Sequence, residues 1–186
     1  MIALTDESSD DCLISSAMKG DDGAFAQIVA RYKRRVFRLA ARFARDNDEL
    51  EDICQEAFIK VYENLSSFRR DAPFEHWLMR ITVRVCQDAL RSRRRSGNHG
   101  TLDGQPDLRD LSADARHEAQ QARNLLAWAL AQLKPDERLV ITLLELEEYS
   151  VREIAEMTGW SEANVKVRAH RARQSLKKIL EQHDGR

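Results

Sequence analysis

Apolar residues recur every three or four positions over most of this chain of 186 residues, which is the spacing of the buried side of an α-helix. The sequence contains no long runs of alternating apolar and polar residues, the pattern typical of β-strands. Only three prolines and seven glycines interrupt it. We therefore expect an all-α protein.

Residues 96–117 break this helical pattern. They contain three glycines and one proline, have few large apolar side chains, and carry more aspartate than arginine. A segment of this composition does not bury enough apolar surface to pack. We expect two small helical domains, residues 1–95 and 118–186, joined by a flexible, slightly acidic linker at 96–117 with room for a short helical turn.

The N-terminal domain is predicted to contain three or four helices. One runs from about Asp22 to Arg45, with apolar residues at helical spacing. A second begins at Asp48, where Asp48 and Glu51 have the spacing of a capping box. A third starts after Pro73, because proline fits the first turn of a helix.

The second of these helices is acidic. From Asp46 to Glu63 the sequence has seven acidic residues and a single basic one, Lys60. Most faces of this kind are simply solvated. The basic stretches on either side of this one suggest instead a docking surface for a positively charged protein partner.

The third helix is basic in its second half, and the loop before it combines aromatic and cationic side chains. Phe68, Arg69 and Arg70 lie in the loop, and aromatic rings beside arginines suit single-stranded bases, which need stacking faces and a charged track. Phe74 and Trp77 are expected core residues from their helical spacing. Phe68 and the arginines are expected to be freer to contact a ligand. The basic residues of the helix are Arg80, Arg84, Arg91, Arg93, Arg94 and Arg95.

The C-terminal domain contains two short helices that meet at Gly159. Ser150 and Glu153 have the spacing of a capping box at the start of the first helix. Gly159 supplies a residue that adopts positive φ where the chain turns from one helix into the next. Ser161 is a suitable N-cap for the second helix. This is the helix-turn-helix pattern, whose second helix docks in the major groove of DNA.

That second helix is strongly basic. From Glu162 to Lys178 six basic residues stand against the single acid Glu162, although the whole chain has a net charge of −1. A basic amphipathic helix alone is more often a solvated surface. The capped helix and the glycine turn upstream favour DNA binding, in which the cations contact phosphates and Asn164, Val167 or an arginine reads base edges.

Several classes of protein are excluded by composition. No run approaches 18 apolar residues and the N-terminus is acidic, so we expect no membrane insertion, no secretory signal and a cytoplasmic location. The three cysteines are widely spaced, without a CxxC pair, so neither a zinc site nor a disulfide framework is expected. Cys54 and Cys86 are expected to be buried and Cys12 exposed. No cofactor, metal or catalytic residue is predicted.

Two blocks of the sequence resemble a bacterial extracytoplasmic-function (ECF) sigma factor. The first block is DELEDICQEAFIKVYE followed by FRRDAPFEHWLMRI, and the second is LKPDERLVITLLELEEYSVREIAEMTG followed by NVKVRAHRAR. The match runs from about Met18 to Leu180 in the order and spacing of that family. The resemblance implies a protein that is not an enzyme, binds core RNA polymerase and directs promoter-specific initiation of transcription.

The resemblance also implies roles for particular residues. In the family the acidic helix binds the clamp coiled coil of the polymerase large subunit, and the matching residues are Glu49, Asp52, Gln55, Glu56, Ile59 and Glu63. The loop at 68–75 captures a flipped base of the minus-ten element and the following arginines help melting. The residues at these positions are Phe68, Arg69, Arg70, Phe74, Arg80, Arg84, Asp88, Arg91 and Arg94.

The second half of the resemblance concerns the minus-thirty-five element. Its recognition helix matches residues 161–173, and the implied DNA contacts are Ser161, Glu162, Asn164, Lys166, Val167, Arg168, His170, Arg171 and Arg173. The linker matches a segment that passes through the polymerase toward the RNA exit path. The implied partners are core RNA polymerase, through its large-subunit clamp and flap, promoter DNA and an anti-sigma factor.

Two positions depart from what the resemblance leads us to expect. Many family members have asparagine where this chain has Arg84, which affects base readout near that position. Primary sigma factors have paired tryptophans for melting where this chain has Arg80 and Ile81. The second difference fits the smaller ECF family.

Two other classes of function fit the sequence less well. A stand-alone helix-turn-helix regulator would bind duplex DNA without polymerase, but the chain has no coiled-coil heptads and no evident ligand pocket. A nucleic-acid enzyme would use the acids at 46–56 to bind magnesium, but these lie along one solvent face without companion residues.

Overall fold

The computed structural model describes residues 7–95 and 113–184, which form helices and turns without a β-strand, so the all-α prediction is confirmed. Eight α-helices occur in these ranges: α1 (Glu7–Ala17), α2 (Asp22–Ala41), α3 (Asn47–Asn64), α4 (Phe74–Arg95), α5 (Ala113–Ala131), α6 (Pro135–Ile141), α7 (Val151–Thr158) and α8 (Glu162–Asp184). A 3₁₀ turn at Leu65–Ser67 follows α3, and a π-helical turn at Thr142–Leu146 continues α6.

Capping side chains determine where α2 and α3 begin. Asp21 accepts a hydrogen bond from the Ala24 amide at 3.0 Å, and Asp46 accepts one from the Glu49 amide at 2.8 Å. Glu49 Oε2 in turn accepts from the Arg45 amide at 2.7 Å. The predicted capping box of Asp48 and Glu51 is therefore wrong, because Asp46, two residues earlier, already satisfies the first amides of α3.

The α2 helix ends earlier than predicted, at Ala41 instead of near Arg45. The amides of Arg42 and Phe43 bond to carbonyls three residues back, which tightens the chain into a corner between α2 and α3. This corner places Phe43 at full burial in the core.

Helices α1 to α4 pack together, as expected for a three- or four-helix N-terminal domain. Each contributes large side chains that are almost completely buried. They include Ile14 from α1, Ile28, Val36 and Leu39 from α2, Val61 from α3, and Leu78 and Val83 from α4.

In the C-terminal part, α6, α7 and α8 pack against one another and α5 lies along α8. The α5 helix begins at Ala113, so positions 113–117 of the predicted linker are helical, and residues 96–112 lie outside the described ranges. The π-helical turn ends where the Glu147 amide bonds to the Thr142 carbonyl at 3.1 Å. Glu148 then adopts a left-handed conformation with φ of 57° and directs the chain into α7.

The two helical groups pack against each other through α4, which contacts both α6 and α7. Most of their buried apolar residues form one shared core, and a smaller apolar cluster of Leu130, Leu133, Ile141 and Ala172 lies within the C-terminal part. The buried Arg138 guanidinium of α6 donates to the Arg42 carbonyl at 2.8 Å, and Arg42 Nε donates to Glu147 at 3.2 Å. Arg84 Nε of α4 donates to the Met157 carbonyl at 3.3 Å.

Several polar atoms near this contact have no hydrogen-bond partner within the described ranges. They are Gln87 Nε2 on α4, Arg138 Nε on α6 and Thr142 Oγ1 on the π-helical turn. A buried unsatisfied group costs about 1–3 kcal/mol. The contact between the two helical groups is therefore less favourable than its apolar area alone would suggest.

Two of the three cysteines lie as the sequence predicts, and Cys54, which was expected to be buried, is only partly so. Cys12 is exposed, Cys54 is half-buried and Cys86 is buried. Burial, with a smaller contribution from the Glu51 charge, raises the pKa of Cys54 to about 11, and burial raises the pKa of Cys86 as well. Over the described parts of the chain no group of three or more His, Cys, Asp or Glu is arranged to hold a metal ion. No described helix is long and apolar enough to cross a membrane.

We expect iodoacetamide at pH 8 to modify Cys12 at least about tenfold faster than Cys54 or Cys86, because the raised pKa of the latter two leaves little reactive thiolate. Mass spectrometry of peptides after timed quenching measures the three rates. The same reaction in guanidinium chloride is the control and should bring the rates together. Rapid labelling of Cys86 in the folded protein would contradict its placement in the core.

Candidate nucleic-acid and polymerase interfaces

One face of α3 forms an exposed acidic stripe. Its members are spaced three or four residues apart and point away from the core: Asp52, Gln55, Glu56, Ile59 and Glu63. Ile59 is 43% exposed, which is high for an isoleucine, and it lies between carboxylates. An apolar centre flanked by negative charge is suited to a basic protein surface.

Glu49, the remaining predicted polymerase contact on α3, is used inside the fold. Its Oε1 accepts from Arg93 Nε at 2.7 Å, and its Oε2 lies 2.7 Å from another Arg93 nitrogen. Arg93 also donates to the Phe43 carbonyl at 2.6 Å. Burial lowers the pKa of Arg93 and the Glu49 charge opposes that shift. Glu49 therefore connects α3 to α4 and to the end of α2.

A groove of about 540 Å³ lies between α3 and α4. Its walls carry the carboxylates of Asp52, Glu56 and Asp88, and Ile53 and Val85 are among its apolar residues. Asp88, which the resemblance grouped with the DNA-contacting arginines of α4, thus lies beside the acidic stripe. Arg45, Lys60 and Arg93 line the groove as well, so Asp88 extends the acidic stripe on one side of a groove of mixed charge.

The loop before α4 has an aromatic base. Phe68, Phe74 and Trp77 are all buried, with neighbouring ring centroids 5.3–5.6 Å apart. Tyr32 of α2 joins them at 5.6 Å from Phe74. The expectation that Phe68 is freer than Phe74 and Trp77 is wrong, because Phe68, only 6% exposed, completes the same cluster.

The polar tip of this loop, residues 69–73, is exposed above the aromatic base. Arg69 and Arg70 both lie there. Arg70 has a φ of 60°, which is uncommon for a residue with a side chain. The two cations and the nearby aromatic residues therefore come together as the sequence indicates, but the rings support the loop from below.

The described arginines of α4 differ in whether they contact the C-terminal part of the chain. Arg80 is half-exposed. Arg84 and Arg91 are exposed but each contacts the C-terminal part: Arg84 at the Met157 carbonyl and Arg91 at Asp136, 3.6 Å away. The Arg94 side chain lies outside the described residues.

The helix-turn-helix is formed as the sequence predicts. Ser150 and Glu153 make a complete capping box, and Gly159 adopts the left-handed conformation with φ of 74°. Ser161 Oγ accepts from the Asn164 amide at 3.3 Å at the start of α8. The side of α8 that packs against the domain is formed by Val165, Ala169 and Ala172.

The opposite side of α8 forms an exposed basic row, defined by Ser161, Glu162, Asn164, Lys166, Val167, His170, Arg171 and Arg173. Val167 is 48% exposed and so can contact a base methyl group. Arg173 is exposed but pairs with Glu145 at 2.6 Å. These side chains form the surface that a helix-turn-helix presents to the major groove.

Arg168, a predicted DNA contact on α8, is instead engaged in contacts within the protein. Its guanidinium donates to Asp136 at 2.9 Å and to Asn164 at 2.7 Å, and lies 4.3 Å from the centroid of the Trp160 ring. Sequence reasoning missed Asp136 and Trp160 as its partners. Trp160 was the easier partner to find, since it lies in the turn just before α8; Asp136 is 32 positions away and had no local signal.

Comparison with known proteins gives two family matches. Residues 28–96 match Sigma-70 region 2, and residues 123–176 match Sigma-70, region 4. The ECF RNA polymerase sigma factor SigM of Mycobacterium tuberculosis is 33% identical over 175 residues, covering 94% of this chain and 86% of the relative. The ECF RNA polymerase sigma-E factor of Escherichia coli is 31% identical over 182 residues, covering 93% and 95%.

A solved structure is similar over nearly the whole chain. The structure of CnrH in complex with the cytosolic domain of CnrY has a TM-score of 0.63 and 28% sequence identity, and the match covers 93% of this chain and 97% of CnrH.

We expect the substitution Glu49→Gln to lower the free energy of unfolding by about 2 kcal/mol, because it leaves the Arg93 guanidinium without its counter-charge. This loss lies between those typical of breaking an exposed ion pair and of breaking a fully buried one. Thermal and urea unfolding measure the loss. Asp52→Asn, three residues along α3 and exposed, is the matched control and should change stability by less than about 0.5 kcal/mol. Equal stabilities of the two variants would show that Glu49 is not part of the core network.

Proposed function

Because this chain belongs to the ECF family of RNA polymerase sigma factors, we propose that its acidic stripe binds core RNA polymerase and that its two basic regions contact the two elements of a promoter. The chain is an alternative sigma factor that directs initiation of transcription. The polymerase performs the chemistry, in the cytoplasm, and the sigma factor supplies no catalytic group.

The observation that carries this proposal is the separation of charge on one small chain. The acidic stripe of α3 and the exposed basic row of α8 belong to different helical groups. A protein surface rich in cations and the phosphate backbone of DNA can therefore be bound at the same time. Binding two promoter elements through one chain raises affinity by effective concentration.

In this proposal the exposed loop 69–73 receives a base of the minus-ten element, and Arg69 supplies a positive charge at its tip. Extruding a base costs a few kcal/mol, which contacts in a pocket offset. The row on α8 reads the minus-thirty-five element, with Asn164 and Val167 at base edges and Lys166 and Arg171 at phosphates.

The contact between the helical groups affects how promoter binding proceeds. Arg84 and Arg91 bond to Met157 and Asp136 of the C-terminal part. Releasing these contacts makes Arg84 Nε and the Arg91 guanidinium fully available to DNA. The unsatisfied polar atoms on α4, α6 and the π-helical turn lower the cost of that release.

An anti-sigma factor is a further proposed partner. CnrH, 28% identical to this chain, was solved in complex with the cytosolic domain of CnrY. A protein that covered the acidic stripe would exclude the polymerase and hold the sigma factor inactive.

The proposal is tested by transcription with purified core RNA polymerase, with and without this chain, on a library of promoter fragments. We expect initiation from a subset of fragments only when the chain is present, and their shared sequences identify both promoter elements. Tight binding of duplex DNA by the chain alone, without initiation from any fragment, would instead identify a stand-alone helix-turn-helix regulator.

Replacing Asp52 and Glu56 together by lysine should weaken binding to core polymerase by about tenfold or more, because like charges then face the basic partner. Fluorescence anisotropy of the labelled chain titrated with core polymerase measures the affinity. Glu51→Lys makes the same type of charge change at an exposed position on the same helix, off the stripe, and should have a much smaller effect. A similar loss in both proteins would argue for a general charge effect instead of a defined surface.

Lys166→Ala and Arg171→Ala should each weaken promoter binding and reduce the slope of log affinity against log salt by about 1, as expected for the loss of one phosphate contact. Binding of the polymerase holoenzyme to a promoter fragment, measured at several salt concentrations, provides the slope. Lys177→Ala is the control, since Lys177 pairs with Glu181 on the distal part of α8. Unchanged slopes in the first two variants would place the phosphates elsewhere.

A further inference from the structure

The exposed loop 69–73 is connected to α1 through Arg70. The Arg70 guanidinium donates to Ser15 Oγ at 2.5 Å, and another of its nitrogens lies 3.7 Å from Asp11. Ser15 and Arg70 are 55 positions apart in the sequence. The loop that is proposed to receive a base is therefore held by a helix that is not part of it.

The Ser15 hydroxyl is oriented to accept this bond. It donates its own hydrogen to the Asp11 carbonyl at 2.6 Å, one turn earlier in α1. Its lone pairs are then left for the Arg70 guanidinium, which only donates. The hydroxyl thus has a defined direction, and it determines where the guanidinium lies.

The backbone of Arg70 has an uncommon conformation, with a positive φ. Within the described residues only Arg70 and Glu148 have a positive φ without being glycine. Such a conformation is unfavourable for a residue with a Cβ atom and persists where the surroundings determine it. At Arg70 those surroundings are Ser15 and Asp11, and the conformation sets the shape of the loop tip.

A second connection runs from α1 to the base of the same loop. The buried Asp10 carboxylate accepts hydrogen bonds from the Tyr32 hydroxyl and from Arg31. The Tyr32 ring packs 5.6 Å from Phe74, which belongs to the aromatic cluster under the loop. The α1 helix therefore has a fixed position relative to that cluster, so the Ser15 hydroxyl is a fixed point for the loop tip.

We propose that Ser15 is a positioning residue for promoter recognition: through Arg70 it holds the tip of loop 69–73 in the conformation that receives a base of the minus-ten element. This inference rests on the proposed function of the loop. It assigns to α1 an influence on which base is accepted, although α1 itself contacts no DNA in this mechanism.

A functional role is distinguishable from a structural one at this site. Arg70 and Asp11 are 44% and 61% exposed, and exposed polar contacts add little to folding stability. Loss of the Ser15 hydroxyl should therefore leave the melting temperature nearly unchanged. Its effect should fall on the geometry of the loop tip, and hence on the choice of base.

The test uses the full chain with core RNA polymerase and two promoters that share one minus-thirty-five element. One promoter has the preferred minus-ten base and the other has that base replaced. The ratio of initiation rates on the two promoters is measured for the unmodified chain, Ser15→Ala, Arg70→Met and the double variant. Ser16→Ala is the matched control. Ser16 lies on the same helix, and no described hydrogen bond joins its hydroxyl to the loop.

We expect Ser15→Ala to lower the ratio by about threefold to tenfold, the effect of losing one hydrogen bond. Ser16→Ala should leave it unchanged. In the Arg70→Met background the Ser15→Ala change should have no further effect, because the connection is already lost.

Two results would overturn the inference. The first is a ratio for Ser15→Ala equal to that of the unmodified chain; if initiation also falls equally on both promoters, the role of Ser15 is structural. The second is an equally large Ser15→Ala effect in the Arg70→Met background, which would mean that Ser15 does not act through Arg70. Failure of the unmodified chain to initiate on either promoter would overturn the proposed function itself, and is thus distinguishable from both.

Discussion

The corner where α2 turns into α3 holds the described structure together. The carbonyls at the end of a helix have no partner within it and lie at the negative end of its dipole, so they attract cations. Here Arg138 of α6 bonds to the Arg42 carbonyl and Arg93 of α4 bonds to the Phe43 carbonyl. Glu49 of α3 neutralises Arg93. Helices from both halves of the chain are thus attached to one short stretch of backbone.

This arrangement puts more buried positive charge than negative charge around the corner. Burial, with a smaller contribution from the nearby Arg93 charge, lowers the pKa of Arg138 to about 10, so at neutral pH the guanidinium remains protonated. Its Nε atom has no partner among the described residues. Directional polar bonds therefore join the helical groups alongside the shared apolar core, and those bonds compete with water more closely than a purely apolar contact would.

Local features were predictable where the physical cause is local. The capping box of α7, the left-handed Gly159 and the Ser161 cap involve residues within four positions of one another, so their spacing in the sequence is sufficient to identify them. The same reasoning placed the α3 capping box two residues too late. Both Asp46 and Asp48 are suitable caps, and the tight turn at Phe43, which depends on core packing, decides between them.

Phe68 shows a different limit of sequence reasoning. Its place in a loop between polar residues suggested an exposed ring, but Tyr32, from a helix more than thirty positions earlier, contributes to an aromatic cluster that Phe68 completes. Phe68 itself contacts Phe74 and Trp77, six and nine positions later, but their spacing does not show that the chain folds back to bring the three rings together. The aromatic and cationic character of the loop was predictable. The burial of the rings beneath the loop and the exposure of the arginines at its tip were not.

The sequence by itself determined the helices, the helix-turn-helix and the separation of acidic from basic segments, because each depends on residues a few positions apart. Only the tertiary structure decided which charges are available to partners. Lys166 and Arg168 look equivalent along the chain, but Asp136 and Trp160 engage Arg168 and leave Lys166 exposed. The physical reason is that a charged side chain forms an ion pair only if packing brings an opposite charge within a few ångströms. That partner is often distant in the sequence, so the spacing of residues along the chain does not reveal it.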